Sequence, residues 1–336
     1  MDLTAYVPAV RQHGLLTWTQ ALGAGLDPRD VRRLVAAGAW LKVRRGVYTD
    51  RESYEALDPW RAAPLLRVRA AALVLATDGV FSHDSAALVL GLGVPDGRTA
   101  LVHRTRARVC GTRLKAGIKH HGAPYHPGQV TVVDGLSVLD GPRTALDTAR
   151  EHGFGPGLAA ADAALRLGSS PAALRLAARA MRNWPGKSVV DRVVDLADAG
   201  SESWLESLGR ALVLDLGIGR PETQVGLSDG HRTVFCDFGV GRHMFEVDGR
   251  VKYAAGGPDH RGPDEVLWEE KRRQDFIAGF GLGVSRITQE DCGSGRPAAL
   301  RRLAREFAAT EARWGRDVSD LAPYRVDRRP LRSGNM

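Results

Sequence analysis

The chain has 336 residues, enough for two or three domains that each have a hydrophobic core. Its 43% hydrophobic and 26% charged residues are typical of a globular protein, and its net charge of +8 favours a polyanionic partner. The longest apolar runs, such as residues 71–76, are too short to cross a bilayer, and the first residues lack the apolar segment of a signal peptide. These features exclude membrane-spanning proteins and predict a cytoplasmic one.

Cysteine and histidine spacing predicts no metal site and no disulfide framework. Three cysteines are far apart and odd in number: Cys110, Cys236 and Cys292. Four histidines in the middle of the chain follow no recognised zinc-ligand spacing: His103, His120, His121 and His126. Zinc is therefore not expected among them.

The first 52 residues are predicted to form a winged helix-turn-helix. Asp27 and Pro28 suit the start of a helix, Gly38 suits its end, and residues 40–49 alternate as a strand and turn do. In such domains a helix enters the major groove and the wing touches phosphate. The residues expected to contact DNA are Arg29, Arg32 and Arg33 on the helix and Lys42, Arg44 and Arg45 in the wing. A winged helix that only docks protein is the alternative.

Two segments of this region, HGLLTWTQALGAGL and VRRLVAAGAWLKVRRGVYT, resemble the N-terminal domain of AbiEi-type antitoxins. The resemblance implies a regulator that binds an operator and has a cognate toxin protein as a possible partner. Residues 60–150 contain SHDSAALVLGL and DGPRTALDTAR and resemble the region that follows the winged helix in those proteins. They are predicted to form an α+β middle domain.

A basic run in the middle domain has no acid between Arg98 and Gly128. Lysines and arginines protect an exposed strand edge against pairing, so the run fits a solvated edge. It fits equally a surface that follows the phosphates of a nucleic acid, with Arg104 and Arg106 as contacts. Residues 151–200 are rich in alanine and leucine and are predicted to be a helical spacer.

Residues 201–320 are predicted to form the last domain, followed by a tail over 321–336. Ser201 or Ser203 is expected to cap an amphipathic helix, with Glu206 completing a capping box. Asp229-Gly230 and Gly241-Arg242 are each predicted to be two-residue hairpin loops that join three strands.

The second hairpin brings carboxylates together. With Gly241-Arg242 as its loop, Asp237 lies opposite Glu246, and Asp248 shares their face of the sheet. Like charges so close are destabilising unless a proton or a cation joins them. Mg²⁺ (or Mn²⁺), which binds carboxylate oxygens, is the expected cation.

An acidic helix, an aspartate and a Glu-x-Asp-Gly hairpin resemble the PD-(D/E)XK nuclease fold, closest to its very-short-patch-repair-like group. The resemblance covers about residues 201–290 and implies that Glu206, Asp237 and Glu246 hold the metal. Lys252 would then steady the attacking water or the phosphorane charge. Lys271, Arg272 and Arg273, on the next helix, are also expected to assist with phosphate. The simple motif is broken because Asp248 stands where its lysine is expected. Each assignment has an alternative: Glu206 serves only as a cap, Asp237 is a turn acid of a longer loop, Asp248 starts a turn, or Lys252 is a surface lysine.

The sequence thus predicts an α/β (α+β multidomain) protein: a winged helix, a middle α+β unit, and a restriction-endonuclease-like mixed sheet flanked by helices. Two functions stay open at this point. One is Mg²⁺-dependent DNA hydrolysis in repair or defence. The other is transcriptional regulation of the type IV antitoxin kind, with a nuclease-like domain that does not cleave.

Overall fold

A computed structural model describes residues 11–75, 78–94, 101–107, 109–248 and 263–327. The chain forms two compact units, one of residues 1–152 with 176–185 and the other of residues 153–175 with 186–336. Among the described residues, no helix combines the length and the apolar character that a membrane crossing requires.

The first unit begins with two short helices and a three-stranded sheet. The elements are β1 (Leu15–Thr17), α1 (Trp18–Gly23), α2 (Pro28–Ala36), β2 (Trp40–Arg44) and β3 (Val47–Asp50). The strand order is β1-β3-β2 with antiparallel neighbours. A turn joins α1 to α2, and the β2–β3 hairpin follows α2, which is the order expected of a winged helix-turn-helix.

The caps explain where these helices begin. Thr17 accepts a hydrogen bond from the backbone of Gln20 at the start of α1. Asp27 Oδ1 accepts from the backbone N–H groups of Arg29 and Asp30, at 2.6 and 2.8 Å, at the start of α2. The predicted cap at Asp27 and first-turn proline at Pro28 are therefore confirmed.

The rest of the first unit is a six-stranded mixed sheet with helices. The helices are α3 (Arg51–Glu55), α4 (Ala62–Ala72), α5 (His83–Leu90) and α6 (Gly141–His152). The strands are β4 (Val80–Phe81), β5 (Val102–Arg106), β6 (Thr112–Lys115), β7 (Ile118–Gly122), β8 (Val130–Val133) and β9 (Leu136–Leu139). Their order is β6-β7-β5-β4-β9-β8, with β5 parallel to β7 and β4 parallel to β9. Val68 of α4 packs with Val102 and Ile118 in its core.

The segment predicted to be a helical spacer is divided between the two units. Its helices are α7 (Phe154–Arg166), α8 (Pro171–Ala180) and α9 (Lys187–Leu196). Helix α7 belongs to the second unit and carries an apolar, fully buried run at residues 158–161. Helix α7 therefore supplies core residues to the second unit.

The second unit also contains a five-stranded mixed sheet covered on both faces. Its elements are α10 (Trp204–Asp215), β10 (Glu222–Ser228), β11 (Thr233–Val240), β12 (His243–Asp248), α11 (Pro263–Gly279), β13 (Gly283–Thr288), α12 (Gln289–Cys292), α13 (Arg296–Trp314) and β14 (Arg325–Val326). The strand order is β13-β12-β11-β10-β14, and only the β12–β13 pair is parallel. Phe245 packs with Leu212 of α10, whereas its neighbour Met244 packs with Ile277 of α11. Because successive strand residues point to opposite faces, α10 and α11 lie on opposite sides.

One of the two predicted hairpin loops is confirmed. Val240 pairs with His243, so Gly241-Arg242 is a two-residue loop. Ser228 pairs with Thr233, so the other loop has four residues, and its prediction as a two-residue turn is wrong. The carboxylate of Asp229 accepts from the backbone N–H groups of His231 and Arg232, which stabilises the wider loop.

A buried ion pair joins α7 to α10. Arg210 Nη2 donates to both carboxylate oxygens of Asp162, at 2.6 and 2.7 Å, and both side chains are fully buried. Arg210 Nη1 also donates to the carbonyl of Leu196, and Asp162 accepts from the backbone N–H of Asp198. The pair therefore fixes the chain segment that leads into α10.

We expect Asp162→Ala to destabilise the second unit by about 3–5 kcal/mol, because it leaves the Arg210 guanidinium buried without its counter-ion. Urea unfolding followed by circular dichroism measures the change. Asp191→Ala is the control, since it breaks the half-exposed pair with Lys187 and should cost about 1 kcal/mol or less. Equal effects of the two variants would contradict this account.

Candidate functional site

The basic residues of α2 share one exposed face. Arg29, Arg32 and Arg33 are exposed, and their i, i+3, i+4 spacing places them on one side of the helix. Val31 is buried beneath them against Leu16 and Trp40, so the hydrophobic contact fixes which side faces outward. Arg33 is ion-paired with Asp30 at 2.6 Å, while its side chain is 76% exposed. This face therefore presents three cations that can reach into the groove of a nucleic acid.

The wing adds basic side chains at the end of a hairpin. Lys42 and Arg45 are exposed, whereas Arg44 is half-buried and burial lowers its pKa. Gly46 has φ of 79°, in the left-handed region that favours glycine, and it closes the turn after Arg45. Lys42 and Arg45 are therefore positioned to touch a polyanion.

The two arginines predicted to contact DNA from the middle domain have partners within the protein. Arg104 is 5% exposed, and its guanidinium donates to the carbonyl of Gly79 and lies 3.4 Å from Asp78. Arg106 is ion-paired with the same aspartate. DNA contact by these two residues stays a prediction.

In the second unit, Arg272 is exposed, with its guanidinium carbon 4.9 Å from the ring centroid of Trp268.

Glu206 lies in the first turn of α10 and takes part in the capping hydrogen bonds of that helix. Ser203 is the N-cap residue, as predicted, and accepts from the backbone of Glu206. The Glu206 carboxylate accepts in turn from the Ser203 hydroxyl at 3.0 Å and from the backbone N–H of Glu202 at 2.7 Å. Burial, together with the nearby charge of Asp237, raises the pKa of Glu206 to about 7. Glu206 and Asp237 are therefore electrostatic neighbours.

Asp237 and Glu246 lie where the β11–β12 ladder ends. The register predicted from the loop is confirmed for three pairs, the last being Phe238 with Phe245. Beyond that pair, the Asp237 carboxylate accepts from the backbone N–H of Val247 at 2.7 Å. Glu246 is ion-paired with Arg273 of α11, whose guanidinium also donates to the carbonyl of Phe235. The cation beside Glu246 is thus a protein side chain.

Of the remaining predicted site residues, the structure describes only Asp248. Asp248 ends β12 opposite Thr288 of β13 and is partly exposed, and Lys252 lies outside the described residues. Among the described residues, one group brings three potential metal ligands together, with all their ligand atoms within 4.8 Å of one another. That group contains no carboxylate. The predicted metal role of Glu206, Asp237 and Glu246 stays a prediction.

Sequence spacing missed the group that does converge, which is His83, His103 and His121 in the first unit. All three are buried, and His121 Nε2 lies 3.1 Å from His103 Nδ1. The rings of His83 and His121 are stacked with centroids 3.7 Å apart. Burial lowers the pKa of His83 and His103 and lowers that of His121 to about 4, which keeps the three imidazoles neutral at neutral pH.

Residues 8–49 match the sequence model of a family described as a transcriptional regulator, AbiEi antitoxin. The match spans α1, α2 and the β2–β3 hairpin, including all six basic residues predicted to contact DNA there. It does not extend to the histidine group or to the acids of the second unit. A search of curated proteins finds no match.

We expect the raised pKa of Glu206 to appear as a pH-dependent loss of stability. A carboxyl group whose pKa is higher in the folded state favours folding below its ordinary pKa of 4.5, and this contribution is lost as pH rises through about 7. Between about pH 5 and about pH 8 in a chelating buffer, wild type should lose roughly 1–2 kcal/mol relative to Glu206→Gln, after allowance for solvent screening.

Chemical unfolding at a series of pH values provides this measurement. The exposed Glu290 is the control position, and its Gln variant should follow the wild-type pH curve. Parallel curves for wild type and Glu206→Gln would show that burial and Asp237 do not perturb this carboxyl group.

Proposed function

We propose that the chain is a DNA-binding transcriptional regulator that contacts duplex DNA through α2 and the β2–β3 wing. The observation that carries this proposal is the coincidence of the family match at residues 8–49 with an exposed arginine face on the second helix of a helix-turn-helix. In such domains the N-terminal residues of the second helix reach base edges. Arg29 and Arg32 occupy those positions and supply the donors that guanine accepts.

Different basic residues are assigned different tasks. Arg29 and Arg32 carry base readout, because they lie in the first turns of α2 and are exposed. Lys42 and Arg45 contact phosphate, because they extend from the wing. Arg33 contributes less to readout, since its guanidinium is already paired with Asp30.

The second unit enters the proposal as a module that does not need to cleave DNA. The pairing of Glu246 with Arg273 and the capping role of Glu206 account for two of the acids without a metal. The description of the matching family as an antitoxin supports a toxin protein as a further partner. Mg²⁺-dependent hydrolysis, with Asp237 beside Glu206 as its supporting feature, is the competing function.

We expect Arg32→Ala to weaken binding to a selected duplex by about 1–3 kcal/mol and to relax its sequence preference. Lys42→Ala should weaken binding to all duplexes and reduce the slope of log affinity against log salt by about one. The duplex is selected from a random-sequence pool with wild-type protein, and affinities are measured by fluorescence anisotropy over a series of salt concentrations.

Arg175→Ala is the matched control, because it removes one exposed arginine from α8 outside the winged helix. It should leave both affinity and salt slope unchanged. If Arg175→Ala and Arg32→Ala weakened binding equally, or if wild type failed to bind any duplex at low salt, the winged helix would not be the DNA-contacting element.

A second experiment separates regulation from hydrolysis. A regulator should retain its DNA affinity in EDTA and in Glu246→Gln, and should leave the duplex intact in Mg²⁺ or Mn²⁺. Cleavage that requires the metal and disappears in both Asp237→Asn and Glu246→Gln would instead establish the competing function.

A further inference from the structure

Three imidazoles from three different elements converge on one side of the six-stranded sheet. His83 begins α5, His103 lies on β5 and His121 lies on β7. In the parallel pairing of β5 with β7, His103 lies opposite Lys119 and Thr105 lies opposite His121. His103 and His121 are therefore diagonal neighbours on one face, because residues two apart on a strand share a face.

We propose that His83, His103 and His121 form a binding site for a divalent transition metal, with Zn²⁺ as the ion that the site fits best. The donors are nitrogens, which suit zinc and its neighbours, whereas Mg²⁺ and Ca²⁺ take oxygen ligands. The ligand atoms of the three residues lie within 4.8 Å of one another. A zinc–nitrogen bond of about 2.0–2.1 Å in tetrahedral geometry separates ligand nitrogens by about 3.3 Å. The 3.1 Å between His121 Nε2 and His103 Nδ1 is close to that value.

A direct N–H···N hydrogen bond explains the contact between His103 and His121 but not the third ring. The ligand nitrogen of His83 lies within 4.8 Å of those of the other two residues, and the backbone of His83 has φ of 48°, which a non-glycine residue rarely adopts. Such strain is typically retained where a particular side-chain position is needed. The placement of His83 therefore supports a three-ligand site over a pair of hydrogen-bonded histidines.

Polar neighbours orient the three rings. Asp84 Oδ2 lies 3.7 Å from His103 Nε2, and Asp84 Oδ1 lies 2.7 Å from His152 Nε2. The Ser82 hydroxyl lies 3.0 Å from His83 Nδ1. A carboxylate behind a ligating histidine is the usual outer contact of a metal site. These contacts leave Nδ1 of His103 and Nε2 of His83 for the ion, and the His121 nitrogen on that side is Nε2, which lies beside His103 Nδ1.

The group also has access to solvent. His83 and His121 line a cleft of about 280 Å³, together with Arg150, Glu151 and Trp184. Three protein ligands would leave the fourth position of a tetrahedral zinc ion for an exogenous ligand, which the cleft would admit. The cleft supplies the entry path that a metal site in a folded protein needs.

The first test measures zinc uptake by the full-length wild-type chain. Protein stripped with a chelator and shown to be folded by circular dichroism is titrated with Zn²⁺ in competition with a chromophoric chelator. We expect about one equivalent to bind tightly. Co²⁺ should give the visible absorption of a four- or five-coordinate nitrogen site. A folded wild type that binds neither ion would overturn the proposal without recourse to any variant.

Variants then locate the ion. His103→Gln and His121→Gln should each reduce zinc affinity more than Asp84→Asn does, and Asp84→Asn should reduce it by about 10–100-fold. His120→Gln is the matched control, because His120 is adjacent to His121 on β7 but pairs with Arg104 on the opposite face. It should leave zinc affinity unchanged.

Two further variants identify other sources of binding. Cys110→Ser removes the exposed thiol, and Asp237→Asn removes an acid of the second unit. Neither should alter zinc uptake. If either one abolished it, or if His120→Gln matched His121→Gln, the histidine group would not be the site.

Discussion

The buried pair of Arg210 and Asp162 is the interaction on which the arrangement of the second unit depends. A guanidinium and a carboxylate removed from water must satisfy each other, because each alone would carry a large desolvation cost. Arg210 also donates a hydrogen bond to the carbonyl of Leu196, and Asp162 accepts one from the backbone N–H of Asp198. The pair therefore fixes how α10 begins, and with that the distance at which Glu206 meets the charge of Asp237.

The acids of this unit have partners within the protein. Glu246 takes its counter-charge from Arg273, and Asp237 accepts from the backbone N–H of Val247 where the strand ladder ends. The Glu206 carboxylate accepts a hydrogen bond from Ser203, the N-cap residue of its own helix. Burial and the nearby charge of Asp237 raise the pKa of Glu206. Each of these carboxylates therefore has a structural role in the protein, whatever its chemistry, since fold does not fix function.

The first unit distributes its positive charge unevenly. Most cations of α2 and the wing face solvent, whereas Arg104 and Arg106 on β5 are both ion-paired with Asp78. The same strand, β5, turns His103 to the other face, where burial keeps the imidazole neutral and places it beside His121. One short strand thus serves an ion pair on one side and a histidine group on the other.

The sequence by itself determined the local features: the caps at Asp27 and Ser203, the Gly241-Arg242 loop, and the register of the pairs that follow from it. Each depends on hydrogen bonds between residues only a few positions apart, so the chemistry of a short segment is sufficient. The loop at Asp229 was misjudged because its carboxylate competes for backbone N–H groups and widens the turn. Only the tertiary structure decided that Arg273 neutralises Glu246 and that three histidines without metal-ligand spacing meet. Both contacts join segments far apart in the chain, through helix packing and parallel strand pairing that no local pattern encodes.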